Sequence, residues 1–415
     1  MKMGVFLYID PGTGSMLFAI LIGILSAMVY LVKSWWLKIK FAFSSGKQET
    51  EVNSKFPFVI FADDKRYWNV FKPVIEELDR RGFNMVYMTA SKDDPGLKAE
   101  YEHLRAEFIG EGNRAFAKLN MLNATMVLST TPGLDVYQWK RSKDVDFYIH
   151  ILHACDGVMA YRMFGLDYYD AVMISGKFYE EDTRALEKLR SLPPKELCYV
   201  GIPFMDEMVE RKKMLPPAKE EVRTVLLAPS WGPSSIFNRY GEQFIEELNK
   251  TGYKIIIRPH PQSYTAEKAL IDRLMERFPN SDTIEWNRDN DNFAVQNRAD
   301  ILISDFSGIT FEFSLVFDKP VIYADTEFDK SPYDAWWLDK PYWTFEALNL
   351  IGMKLDKDNF ANVKQMIDEC IEDPKYKAGR ENVKSQTWMY PGEGAHRAAD
   401  YIMKKYDELT SKEGR

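Results

Sequence analysis

The sequence predicts an α/β protein in which two Rossmann-like domains face each other across a cleft, preceded by one N-terminal transmembrane helix. Three observations carry this expectation. From Phe56 onward, short apolar runs alternate with amphipathic stretches of helical period, twice over, as in parallel sheets built from strand–helix–strand units. Between the two series lies a highly charged stretch, 206–223, with Pro216 and Pro217 near its centre, the composition of an inter-domain connection. Residues 11–32 contain no charged side chain at all. A length of 415 residues also exceeds one ordinary domain at about 150 residues each.

In chain order, residues 16–32 (MLFAILIGILSAMVYLV) are nearly continuous hydrocarbon, at the short end of the roughly 17–25 residues that span a bilayer. Trp35 and Trp36 follow at interface depth, among Lys33, Lys38 and Lys40. More lysines follow the run than precede it, so the positive-inside rule predicts a single-pass protein of the cell membrane with its catalytic domains cytoplasmic. The basic start and small-residue cleavage site of a signal peptide are lacking. A buried core helix is the competing reading, and the turn-rich YIDPGTGS at 8–15 suggests no chemistry. Residues 1–48 are therefore expected to be anchor and juxtamembrane linker, 55–210 a first Rossmann-like domain, 218–380 a second, and 381–412 helices packing back on the first.

Strands are expected in the first domain at 56–62, 84–88, 106–109, 125–128, 147–152, 171–174 and 197–200, with helices at 67–81, 113–122, 132–139 and 180–189. In the second, strands are expected at 225–229, 255–257, 301–303 and 321–323, with helices at 241–251, 266–278 and 310–316. Residues 378–409 read as helical apart from Tyr390-Pro391-Gly392. The composition is globular, 46% hydrophobic and 28% charged. A net charge of −8 argues against nucleic acid as a partner. Cys155, Cys198 and Cys370 are far apart, which argues against a disulfide framework and fits a reducing compartment better.

The most informative chemistry lies at 299–325. There a buried strand runs into the turn Ser304-Asp305-Phe306-Ser307-Gly308, then a helix containing Thr310 and Glu312, then a strand entered through Lys319-Pro320. Such a turn offers amides, hydroxyls and a positive helix end at a sheet's carboxyl edge, where anions bind. The plainer reading is that Ser304 and Asp305 only cap the helix. Arg258-Pro-His260-Pro follows a strand as well, and a guanidinium beside an imidazole suits a phosphate or a developing anion. The loop 229–235 (PSWGPSS) offers Ser230 to a nucleotide and Trp231 to a base. Glu312 is placed to hold ribose hydroxyls, or else is a paired, partly buried carboxylate.

With five histidines in the chain, His150 and His153 at the end of FYIHILHACDG are informative. His153, where the strand ends, is the candidate general base, with a structural imidazole as its competitor. His150 reads as a packed or supporting residue. No third ligand accompanies the pair, so no metal site is expected. The aromatic run 333–343 reads as core.

Together these segments resemble the CDP-glycerol glycerophosphotransferase family, the teichoic-acid primases and polymerases. The strongest likeness is ISDFSGITFEF followed by DKPVIY, where the family has an acidic-hydroxyl turn of the SDYSS or TDYSS kind, an FDF-like helix, and KP before the next strand. It extends through Arg258–Pro261, the PSW loop, VGIPFMD at 200–206, the segment 148–153 and GEGAHR at 392–397, covering roughly residues 56–402. The resemblance implies a glycosyltransferase-B fold with an acceptor-binding first domain and a donor-binding second one. It implies metal-independent transfer of glycerol phosphate from CDP-glycerol to a hydroxyl, with no cofactor. By the same likeness His153 corresponds to the base, and His260, Ser307 and nearby amides to groups holding the donor's phosphates. Two positions depart from the family. Ala154 and Cys155 stand where it has glycine and a small hydroxyl residue, and Gly308 stands at the second serine of the turn. Another CDP-alcohol or a nucleotide sugar therefore stays open as donor.

The expectation is a membrane-anchored transferase using a nucleotide-activated polyol donor and a lipid-linked or glycan acceptor. His153 and His260 are its catalytic residues, and Arg258, Ser230, Ser304, Asp305, Ser307, Gly308, Thr310 and Glu312 its donor-binding ones. A nucleotide-sugar glycosyltransferase or UDP-sugar epimerase on the same fold is the first alternative. A non-catalytic membrane protein binding a nucleotide or polyanion is the second.

Overall fold

The structure, a computed structural model, describes residue 28 and residues 55–415 except 156, 216–222, 290, 325–328 and 414–415. The expected anchor at 16–32 lies outside these residues, apart from Met28. Among the described residues no helix is long and apolar enough to cross a membrane.

Residues 55–415 pack as one compact unit containing two parallel sheets. The first comprises β1 (Phe56–Ala62), β2 (Met85–Thr89), β3 (Leu104–Phe108), β4 (Asn123–Ser129), β5 (Asp144–Ile151), β6 (Ala171–Ile174) and β7 (Glu196–Tyr199), in the order β3-β2-β1-β4-β5-β6-β7. The second comprises β8 (Thr224–Leu227), β9 (Lys254–Ile257), β10 (Ile284–Trp286), β11 (Ile301–Ser304), β12 (Val321–Ala324) and β13 (Gly352–Leu355), in the order β10-β9-β8-β11-β12-β13. In each sheet the chain runs outward to one side of its first strand and then returns to build the other. This leaves a switch point between β1 and β4 and another between β8 and β11, and crevices for ligands open outside the carboxyl ends of strands at such points.

The strands are near-continuous apolar runs because helices cover both faces. Residues of β8, β11 and β12 are buried throughout. The helix Trp68–Arg80 buries Val70, Phe71, Val74, Ile75 and Leu78 on one side of its 3.6-residue period. The helix Gly394–Glu413 joins Arg81 to Asp400 at 2.6 Å and Tyr401 to Glu196 at 2.9 Å. Asp206 ties the start of Pro203–Met214 to the 388–394 turn. It accepts from Trp388 Nε1 at 3.0 Å and from the amides of Gly392 and Gly394 at 2.7 and 2.9 Å.

Two expected elements differ. Residues 132–139 form turns, not a helix, because Gly133 and Asp135 hold φ of 85° and 62°. No α-helix passes through that region. The charged stretch after Pro203 is not linker from its start: Pro203–Met214 is a helix, with Pro203 in its first turn and Met205 and Met208 buried. The strands β10 and β13 escape the sequence pattern because they are only three and four residues long and lie at the sheet's edges. Trp336 and Trp337, expected in the core, are 64% and 38% exposed.

Candidate functional site

The carboxyl edges of the two sheets border a cleft of about 360 Å³. The first sheet supplies Arg66, Tyr67 and Asn69 after β1 and His153 and Ala154 after β5. The second supplies Pro229 after β8, Arg258, Pro259, His260 and Pro261 after β9, and Ser307, Gly308, Ile309 and Glu312 after β11.

On the first edge His153 is half-buried, with Nδ1 2.8 Å from Thr130 Oγ1. Its ring lies 5.0 Å from Tyr67 and 5.9 Å from Tyr161. Burial and then the Arg66 guanidinium push its pKa down to about 4, so the imidazole is neutral near pH 7. His150 is fully buried, with Nε2 2.9 Å from the Tyr161 hydroxyl, and burial holds it well below the ordinary histidine value. It lies outside the cleft lining and braces Tyr161, which in turn packs on His153.

On the second edge Arg258 is fixed from behind. Its guanidinium donates to Asn287 Oδ1 and, at 2.7 Å, to the Asp289 carbonyl. His260 Nδ1 accepts from the Gln262 amide at 3.1 Å, which assigns the ring proton to Nε2 in the neutral form. Burial and then Arg66 push this imidazole to about 4 as well, and Trp231 stacks 6.4 Å from it. The helix Ile309–Phe317 starts in the cleft with no side-chain cap. Among the described residues the amides of Gly308 and Ile309 have no hydrogen-bond acceptor, as expected for a helix's first turn. Glu312 Oε2 accepts from Asn292 and Gln296 at 3.0 and 3.1 Å, and burial raises its pKa. Glu312 thus both lines the cleft and is a paired carboxylate.

Four residues expected to touch a donor lie outside the cleft lining. Ser304 Oγ donates to the Ala228 carbonyl at 2.7 Å, tying β11 to the end of β8. Asp305 is fully buried, accepts from the Ser230 amide at 2.8 Å, and has its pKa pushed up to about 6 by burial. Ser230 and Thr310 are buried in the same layer. Ser304, Asp305 and the Ser230 amide fasten the segment 228–236 to the turn that carries Ser307.

Sequence reasoning missed Arg66, Tyr67, Asn69, Thr130, Arg211 and Asn292. Arg66 follows β1 just as Arg258 follows β9, so the rule that selected Arg258 also points to it. Arg211 was concealed in the stretch read as linker; its guanidinium holds Asp291 at 2.6 Å at the cleft wall. Across the cleft floor Ala154 meets Gly308. A Cβ on residue 308 would lie 3.2 Å from the Ala154 methyl. Among the described residues no group of three or more His, Cys, Asp or Glu is placed to hold a metal ion.

Residues 165–336 match the family model described as CDP-glycerol:poly(glycerophosphate) glycerophosphotransferase. Over that stretch, somewhat less than half of the chain, the sequence is similar to this transferase family. The match includes Arg258, His260 and the 304–312 segment, and begins after Arg66 and His153. A curated relative, the minor teichoic acid biosynthesis protein GgaB of Bacillus subtilis strain 168, is 32% identical over 105 residues. That alignment spans 24% of this chain and 11% of GgaB. Among solved structures, the wall teichoic acid polymerase TagF superposes with a TM-score of 0.54 at 15% identity, covering 85% of this chain and 90% of that one. The UDP-GlcNAc 2-epimerase of Methanocaldococcus jannaschii, in complex with UDP-GlcNAc and UDP, gives 0.52 at 10% identity, covering 84% and 98%. These likenesses show a shared two-sheet, glycosyltransferase-B-like fold.

Proposed function

We propose that this protein transfers glycerol phosphate, or a related polyol phosphate, from a CDP-alcohol to an acceptor hydroxyl. One observation carries the reading. A single cleft sets a neutral imidazole on one edge against a guanidinium, an imidazole N–H, a hydroxyl and unsatisfied helix amides on the other. The family match over 165–336 and the GgaB relative support it, as does a solved structure of a TagF histidine variant soaked with CDPG.

In this mechanism Nδ1–H of His153 donates to Thr130 Oγ1, leaving the Nε2 lone pair to take the acceptor's proton. The acceptor oxygen attacks the glycerol-bearing phosphorus, and the bond from that phosphorus to the bridging oxygen breaks. CMP leaves. Arg258, Nε2–H of His260, Ser307 and the amides of Gly308 and Ile309 stabilise the charge that develops on the bridging and non-bridging oxygens. A bound diphosphate beside His153 raises its pKa from about 4 toward the working pH, where a base is most effective.

The apolar run 16–32 and the lysines that follow it support a membrane-anchored enzyme with cytoplasmic catalytic domains, acting on a membrane-associated or cell-surface glycan acceptor. A reporter fused after Arg415 reads out in the cytoplasm; an external signal overturns this orientation. The likeness to a UDP-GlcNAc 2-epimerase keeps a UDP-sugar as the rival donor. A thermal-shift panel of CDP-glycerol, CDP-ribitol, CDP-choline and UDP-sugars separates them. Stabilisation by the CDP-polyols is expected, and stabilisation by UDP-sugars alone contradicts the reading.

A further inference from the structure

A second pocket, of about 340 Å³, opens on the first sheet beside the cleft. Its wall carries Thr131, Gly133, Tyr137, Gln138, Trp139 and Arg162. Two pairs of chain neighbours join it to the proposed base. Thr130 touches His153 while Thr131 lines the pocket, and Tyr161 packs on His153 while Arg162 lines the pocket.

The pocket is built rather than incidental. Tyr137 lies across Gly133, where φ is 85° and any Cβ would fall 2.4 Å from the ring, so only glycine allows the platform. Tyr137 remains 43% exposed, presenting an aromatic face. The Trp139 ring is held edge-on by Phe61, Tyr148 and Tyr169, yet its buried indole N–H has no acceptor among the described residues. Leaving a buried donor unmatched is costly unless something supplies the oxygen. Arg162 is exposed and its side chain makes no ion pair or hydrogen bond among the described residues. Its place is set by its backbone, which bridges to Tyr333. Most other arginines bordering this sheet are engaged, Arg141 with Asp170 and Arg190 with Asp167 and Asp334.

We propose that this pocket is the acceptor subsite and that it takes a phosphate-bearing polyol or sugar. The inference rests on the transferase reading above. A guanidinium with no side-chain partner among the described residues matches phosphate in its fork geometry. An aromatic face takes the C–H side of a polyol or sugar ring, and Gln138 and the Trp139 N–H meet oxygens. With the phosphate on Arg162, the acceptor's terminal hydroxyl is directed toward His153. The acceptor is then anionic, not a neutral lipid alcohol.

The test uses the full chain in detergent with the donor cleft filled by saturating CMP. The probe is glycerophosphoglycerol, a phosphodiester with free hydroxyls at both ends, and glycerol is the neutral control. Calorimetry on wild type should detect the phosphodiester and not glycerol. Arg162→Ala should weaken that binding about ten-fold or more, Arg162→Lys should recover part of it, and CMP affinity and Tm should stay unchanged. In turnover, Arg162→Ala should raise KM for an anionic acceptor and leave hydrolysis of CDP-glycerol by water intact. No probe binding by wild type, equal binding by Arg162→Ala, or glycerol binding as well as the diester overturns the proposal, as does a probe that competes with CMP. A wild-type protein that binds the probe but never cleaves CDP-glycerol instead refutes the transferase reading while leaving the anionic pocket standing.

Discussion

The two carboxyl edges that face each other share one topology and divide the chemistry. Both belong to parallel sheets with a switch point, and both present the residues that follow their strands. The first edge presents imidazole, hydroxyls and aromatic rings, and Arg66, which follows β1, lies on the exposed rim. The second presents a guanidinium fixed by Asn287 and Asp289, an imidazole fixed by a backbone amide, and an uncapped helix start. The first edge keeps its imidazole uncharged through burial, and the second presents fixed hydrogen-bond donors. A shared fold therefore says little about function; the residues after each strand say most of it.

That division breaks most sharply at His153. His153→Ala should lower turnover by roughly 10²–10⁴ with donor affinity nearly unchanged, measured as kcat beside donor Kd. A loss of affinity instead would move His153 to the donor-holding side. On the opposite edge Ser307→Ala and Arg258→Ala should each weaken binding of a CDP-alcohol by about 1–3 kcal/mol in calorimetry. Unchanged affinity in both would remove the second edge from donor binding.

A smaller effect is expected where the edges touch. Gly308 has φ of −57°, so its backbone accepts a side chain, but the Ala154 methyl occupies the space. Gly308→Ser should cost about 1 kcal/mol of stability by chemical denaturation. Ala154→Gly in the same chain should recover most of it. The two departures from the family pattern then form one compensated contact, and strictly additive effects would separate them.

The smallest expected effect is on the pH dependence of stability. His150, His153 and His260 all titrate lower when folded, and for His153 and His260 the unfolded chain binds more protons between the ordinary value near 6.5 and about 4. Their contribution is present above that window and is lost as pH falls through it. Asp305, raised to about 6, works the other way and costs stability as pH rises from 3.8 to 6. The Glu312 carboxyl, also raised by burial, acts in the same sense as Asp305, so the histidine contribution is read as a difference: on acidification from pH 6.5 to 4, Tm should fall less in His153→Gln than in wild type. An unchanged slope would show that the imidazole is not desolvated as described.

Much of this division is legible in the sequence, because it rests on local patterns. Strands β1, β6 and β11 announce themselves as apolar runs, and Arg258, His260, Ser307 and His153 follow such runs directly. What the sequence hides is depth and partnership. Ser304 and Asp305 look as available as Ser307, yet one turns inward to the Ala228 carbonyl and the other to the Ser230 amide. Nothing in the turn's composition separates a hydroxyl facing the cleft from one facing the sheet. Thr130 gains its role only because β4 and β5 pair in register, Ser129 beside His150. Trp336 and Trp337 were misplaced because an aromatic run carries the same composition in a core or on a surface.

The most direct test of the central claim is which nucleotide is released when the purified full chain turns over with acceptor. Attack at the glycerol-bearing phosphorus predicts CMP from CDP-glycerol, with transfer of a glycerol phosphate that phosphorus NMR detects as a new phosphodiester. Release of a nucleoside diphosphate, from CDP-glycerol or from a UDP-sugar, would contradict it.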